Sequence, residues 1–223
     1  MASWMAHLRV ADKLLADRMS ALIGDLPQKH FIVGNIAPDA GEPNEDWTIF
    51  TPPTEISHWK LTGVPRAERA ERFRETYLDA AQEPDAAAFY IGYYTHLLTD
   101  YIWSREIHLP CLERYATEFS RDPGFIWQLK GDWYDLDHLY LREHPDFRAF
   151  AILDAVTAFP NVYLDYFSKA AFEKKIAYIT GFYKGFDGNL DREYPYMKKA
   201  EMDEFVETAA GEIAGKIKGN FLC

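Results

Sequence analysis

The chain has 223 residues, enough for one domain with a sizeable core, and its 48% hydrophobic and 16% aromatic content excludes a disordered chain. A formal net charge of −11 argues against duplex nucleic acid as a tight partner, because phosphates attract basic surfaces. It leaves open an anionic substrate held through a metal, since a bound cation reverses the local sign.

Cys111 and Cys223 stand far apart and give no disulfide framework. The N-terminus shows no basic region followed by an apolar run, and no stretch is long and uncharged enough to span a bilayer. A soluble cytoplasmic protein is expected, and nothing in the sequence fixes an oligomeric state.

Helical periodicity dominates, and strand alternation is scarce. A first helix is predicted from about residue 3 to 22, with Trp4, His7, Leu8, Ala11, Leu14 and Leu15 on its inner face. A short apolar run, Phe31-Ile32-Val33, leads into Gly34-Asn-Ile-Ala-Pro38-Asp39. Residues 40 to 54 read as a proline-rich irregular region, long enough to be functional or mobile. A charged amphipathic helix is expected over 64–81. Pro84 and Asp85 open a central helix expected to end by Pro110. A further helix should cover 123–143, stopped by Pro145. Segments 149–157, 162–184 and 199–217 complete the set. The fold class is therefore all-α, a single-domain multi-helix bundle over 1–223.

The central helix reads Gly92-Tyr-Tyr-Thr-His96-Leu-Leu-Thr-Asp100-Tyr-Ile-Trp103. His96 and Asp100 are four apart, so they share a face and can grip one ion. The surrounding turns are apolar, and an imidazole and a carboxylate carried into a core are costly unless paired or metal-bound. Gly92 removes bulk one turn earlier, which suits close approach by another backbone or by a ligand. His7, Asp39 and His58 join them by type and setting. Three imidazoles and two carboxylates make a ligand set for zinc or a similar divalent ion. Each also has a plain structural reading: a core histidine, a turn aspartate, a helix-flanking histidine, a self-satisfying pair.

Trp4-Met-Ala-His7, Gly34-Asn-Ile-Ala-Pro-Asp39, Ile56-Ser-His58-Trp and the His96-x-x-x-Asp100 helix, in that order, resemble the zinc-dependent phospholipase C and S1/P1 nuclease superfamily. The closest likeness is to its short, unsecreted bacterial members. The resemblance implies a helical domain whose metals hydrolyse a phosphate ester. It assigns Asp39, His58, His96 and Asp100 to one metal site, and His7 with a bridging Asp100 to a second. Asp39 and Asp100 are the implied catalytic residues.

The chain departs from the pattern further on. Secreted members use the amine and carbonyl of a cleaved N-terminal tryptophan, whereas Trp4 is internal here. Glu106 stands where a histidine is expected, and Asp132-Trp-Tyr-Asp135-Leu-Asp137-His138 replaces a His-x-x-x-Glu. Glu106, Asp132 and Asp135 are weaker candidates for a carboxylate-rich site favouring magnesium, manganese or iron, the alternative being a solvated acidic face.

One to three ions are thus expected, and two of them across Asp100 would suit in-line attack of hydroxide on phosphorus. The expected partner is a small phosphate ester or a phospholipid-like molecule, with lipid disfavoured by the −11 charge against an anionic leaflet. Trp47, Phe50, Trp59 and Trp103 are candidates for a pocket wall or for core. The competing functions are a non-catalytic metal-stapled bundle and an interaction module. No His-Asp dipeptide and no pair of Glu-x-x-His motifs occurs, which removes two other helical metalloprotein classes.

Overall fold

In the computed structural model, residues 1–17 and 27–221 are described. The first helix, α1, spans Trp4–Asp17; the expected continuation over 18–22 lies outside the described residues, as does Cys223. The apolar run at 31–33 sits inside α2, Gln28–Ile36, which a 3₁₀ turn over Ala37–Asp39 extends. The irregular region contains a two-residue antiparallel pair, β1 (Glu42–Pro43) and β2 (Phe50–Thr51), with Glu42 opposite Thr51 and Pro43 opposite Phe50. The Asn44 side-chain oxygen accepts from the amides of Thr48 and Ile49 and closes the loop between them. A short α3, Thr54–Ser57, follows.

The charged helix expected over 64–81 is broken into three kinds of turn. A 3₁₀ turn over Arg66–Glu68 precedes α4, Arg69–Phe73, and a π turn covers Arg74–Leu78. The central helix, α5, spans Pro84–Trp103, but Pro110 does not stop the chain's helical course. A π turn over Ser104–His108 carries it into α6, Leu109–Arg114, with the Leu109 amide bonding the Ser104 carbonyl five residues back. Proline removes a donor and crowds the carbonyl four residues earlier, and the wider turn absorbs both.

Beyond α7 (Ala116–Arg121) and a 3₁₀ turn over Pro123–Phe125 come α8 (Ile126–Glu143) and α9 (Arg148–Asp154). The helix expected from 162 begins only at Ala171, as α10, Ala171–Lys184. Asn161 explains the delay. Its side-chain oxygen accepts from the Tyr163 and Leu164 amides, and its amide donates to the Leu164 and Phe167 carbonyls. That local network outcompetes helix formation. The last helix, α11, runs Lys199–Phe221, past the expected end at 217.

One hydrophobic core joins these helices. α5 is buried on nearly all sides, and α2 crosses it at backbone contact. A Cβ on Gly92 would stand 2.1 Å from the Phe31 carbonyl oxygen, and one on Gly34 would stand 2.0 Å from that of Phe89. The reading of Gly92 as a point of tight approach holds, and the partner is the backbone of α2. Trp103 packs edge-on against Trp133 and Phe205 in the core. Trp59 packs against Phe73 and Tyr77. Among the described residues, no helix is long and apolar enough to cross a membrane.

Candidate metal centre

Four elements deliver five side chains to one buried cluster. His7 comes from α1 and Asp39 from the 3₁₀ turn after α2. His58 follows the last residue of α3, and His96 and Asp100 lie one turn apart on α5. The close crossing of α2 and α5 at Gly34 and Gly92 sets the geometry, because it brings the Asn35 carbonyl to 2.8 Å from His96 Nδ1. With Nδ1–H donating there, Nε2 keeps a free lone pair facing the cluster. His58 is placed by Tyr93 of α5, whose hydroxyl donates to the Ser57 carbonyl, and its Nδ1 lies 3.0 Å from Ser57 Oγ.

The donor atoms converge. His58 Nε2 lies 3.2 Å from Asp39 Oδ1, 3.7 Å from Asp100 Oδ2 and 3.4 Å from His96 Nε2. Asp100 Oδ2 is also 3.9 Å from His96 Nε2, while its Oδ1 is 3.5 Å from His7 Nε2. Asp100 therefore presents one oxygen to each side of the cluster. Two groups of ligand atoms result, His7–His96–Asp100 and Asp39–His58–His96, each within 4.8 Å of one another. The Ala2 amide donates to Asp100 Oδ1 at 2.8 Å and brings the start of the chain to the same carboxylate.

The cluster's electrostatics call for a cation. Burial alone would raise both carboxyls, yet both are held well below the usual range: Asp39 by His58 and the other imidazoles, Asp100 by His7 first. Burial, with His7 close by, depresses His96 to about 3 and keeps it neutral. A buried carboxylate, Asp100, and a partly buried one, Asp39, thus face a neutral His96. His7 is fully buried, and neither ring nitrogen has a hydrogen-bond partner; its ring stacks on His96 at 3.7 Å between centroids and 4° between planes. With Nδ1 unpaired and Nε2 no nearer than 3.5 Å to Asp100 Oδ1, burial of this imidazole costs about 1–3 kcal/mol. Nitrogen and carboxylate donors in this number and spacing fit zinc or a similar divalent ion.

The weaker candidates do not join the cluster. Asp132 and Asp135 are clamped by Arg192, and Asp132 also accepts from the Tyr196 and Met197 amides. A guanidinium fork engages one oxygen of each and pins the segment before α11. Glu106 lies exposed against Arg105. His138 stacks on Phe186.

Asp39 and His58 line a cleft of about 400 Å³, walled by Trp4, Trp47, Trp127, Trp133, Tyr134, Tyr178 and Phe182. Trp47 and Phe50, two of the four proposed pocket aromatics, belong to it. A smaller opening of about 50 Å³ reaches Asp100 and His58 from another side, between Lys60, Arg66 and Arg69. Sequence reading missed Ala2, Lys130 and Lys175 at this site. A backbone amide leaves no trace in the sequence, and a lysine on a helix reads as a solvated residue.

The family model described as zinc dependent phospholipase C matches residues 6–220. No curated protein and no solved structure matches the chain.

Proposed function

The chain belongs to the zinc-dependent phospholipase C family, and from that premise we propose that it hydrolyses a phosphate ester at the His7–Asp39–His58–His96–Asp100 cluster. The observation that carries this reading is the position of the cluster at the wall of an open cleft. Structural metal sites are closed by their ligands, whereas catalytic ones keep a position open, and here Asp39 and His58 face the cleft.

A divalent ion bound by these five residues supplies Lewis acidity, which polarises a phosphoryl oxygen and lowers the pKa of water. The chain does the rest. His7, His96 and Asp100 form the buried back of the site, and His96 is locked in orientation by the Asn35 carbonyl. Asp39, ionised and with one oxygen 3.2 Å from His58 Nε2, accepts a hydrogen bond from the attacking water and aims it. The attacking water gives up a proton to solvent as its new P–O bond forms and the ester P–O bond breaks, and the leaving oxygen takes up a proton from solvent. Lys60, Arg66 and Arg69 supply positive potential beside Asp100 in a chain of net charge −11. The aromatic walls receive the organic part of the ester.

The test is hydrolysis of bis(4-nitrophenyl) phosphate and 4-nitrophenyl phosphate by the zinc-loaded protein, with bound metal counted. Activity is expected. His96→Ala and Asp100→Ala should each lose metal and activity by more than the roughly 10–100-fold that outer-shell changes cost. Silence of the loaded wild type on both esters, or full activity in both variants, contradicts the reading.

A further inference from the structure

Three charged side chains line the aromatic cleft: Asp39 at the metal cluster, and Lys130 and Lys175 on α8 and α10. Both lysines are held by rings. The Lys175 ammonium lies 5.5 Å from the centroid of Trp4 and 5.6 Å from that of Tyr178, with the residue only 9% exposed. The Lys130 ammonium lies 4.5 Å from the centroid of Trp127.

Among the described residues, the carboxylate whose charge reaches either lysine is Asp39, and Asp39 is already engaged by His58. Burial depresses both ammonium groups below the usual lysine range, as expected of cations short of a counter-ion. Cation–π contact offsets part of that cost while the cleft is empty of anions. An aromatic cleft without lysines would suit a quaternary ammonium. Here Trp4, Tyr178 and Trp127 already face the protein's own ammonium groups, and a second cation entering the cleft would meet their repulsion.

We propose that Lys130 and Lys175 form an anion subsite, so that the preferred ester carries a second negatively charged group on the arm lying in the aromatic cleft. This inference rests on the phosphoesterase reading and deepens it. The shared chemistry is a phosphodiester with an anionic arm, whether from a lipid headgroup or a soluble ester. Lys175, buried between Trp4 and Tyr178, positions that charge; Lys130 completes it nearer the mouth, beside the exposed Trp127.

The test uses three matched 4-nitrophenyl phosphodiesters whose second arm ends in a carboxylate, a methyl group or a trimethylammonium group. For zinc-loaded protein, kcat/KM for the carboxylate arm should exceed that for the trimethylammonium arm by about tenfold or more. Lys130→Gln/Lys175→Gln should collapse that ratio toward one. Lys175→Arg should keep it, and Lys130→Gln alone, at a half-exposed position, should reduce it. Quenching of cleft tryptophan fluorescence measures binding of the same diesters without turnover and should give the same order of Kd.

Equal rates for the three arms, preference for the cationic arm, or a ratio that survives the double substitution overturns the proposal. If no diester is hydrolysed, the phosphoesterase reading falls, and the order of Kd alone judges the lysines. Parallel assays on cardiolipin and phosphatidylcholine vesicles identify the source. Faster cleavage of cardiolipin assigns the anionic arm to a lipid headgroup, and no cleavage of either, with the soluble preference intact, assigns it to a soluble ester.

Discussion

Asp137 shows how much a single buried acid shapes this molecule. It is fully buried on α8, and desolvation raises its carboxyl to about 7 against the pull of its two hydroxyl partners. Ser3 Oγ donates to one oxygen at 2.9 Å and the Tyr183 hydroxyl to the other at 3.1 Å, while Tyr183 accepts from the Met5 amide. The start of α1 hangs on this acid, and the next amide back, Ala2, reaches Asp100. The sign of its pH effect follows. A carboxyl raised on folding binds its proton more tightly in the folded state, so its contribution to stability is full below about pH 4 and is lost as pH rises through about 7. Compared with Asp137→Asn, the wild type should lose melting temperature across pH 4–7 and hold a constant difference above that; a difference flat across the range would contradict this. At this scale the sequence spoke clearly where chemistry is rare. His96 and Asp100 stand out on an apolar helix, and His7 does so on α1. It was silent on Lys175, because nothing along α10 marks its lysine as the one facing rings rather than water.

Among the elements, the crossing of α2 and α5 decides whether the centre exists. Gly34 and Gly92 let two backbones touch, and that contact puts the Asn35 carbonyl on His96. Gly92→Ala and Gly34→Ala each force a methyl group to about 2 Å from a carbonyl oxygen. Overpacking of this kind costs about 1–3 kcal/mol or more, and backbone cannot yield as a flexible side chain does. Each variant should therefore melt several degrees lower and bind metal more weakly, read by thermal denaturation with and without zinc; wild-type stability and affinity in both would show that the crossing has slack. Gly92 was legible because a glycine in a strongly apolar helix needs a packing reason. The split of the 64–81 helix and the continuation past Pro110 were not, because π turns leave no periodic signal. The late start of α10 was hidden in Asn161, whose hydrogen bonds form only once the loop has folded.

At the scale of the whole molecule, charge is arranged against the average. The chain carries −11, yet Lys60, Arg66 and Arg69 flank one opening of the site, and Lys130 and Lys175 line the other. Such local reversal suits an anionic ligand approaching a buried acidic cluster filled by a divalent ion. Exposed Trp47, Ile49 and Trp127 add apolar surface, with both tryptophans at the cleft itself. The all-α architecture and the convergence of residues from α1, the 3₁₀ turn, α3 and α5 are the features on which the functional reading stands. The most direct measurement is anomalous X-ray scattering at the zinc edge from crystals grown with zinc. Peaks enclosed by His7, Asp39, His58, His96 and Asp100 are predicted. No peak at that cluster, or peaks only at Asp132 and Asp135, would contradict the account.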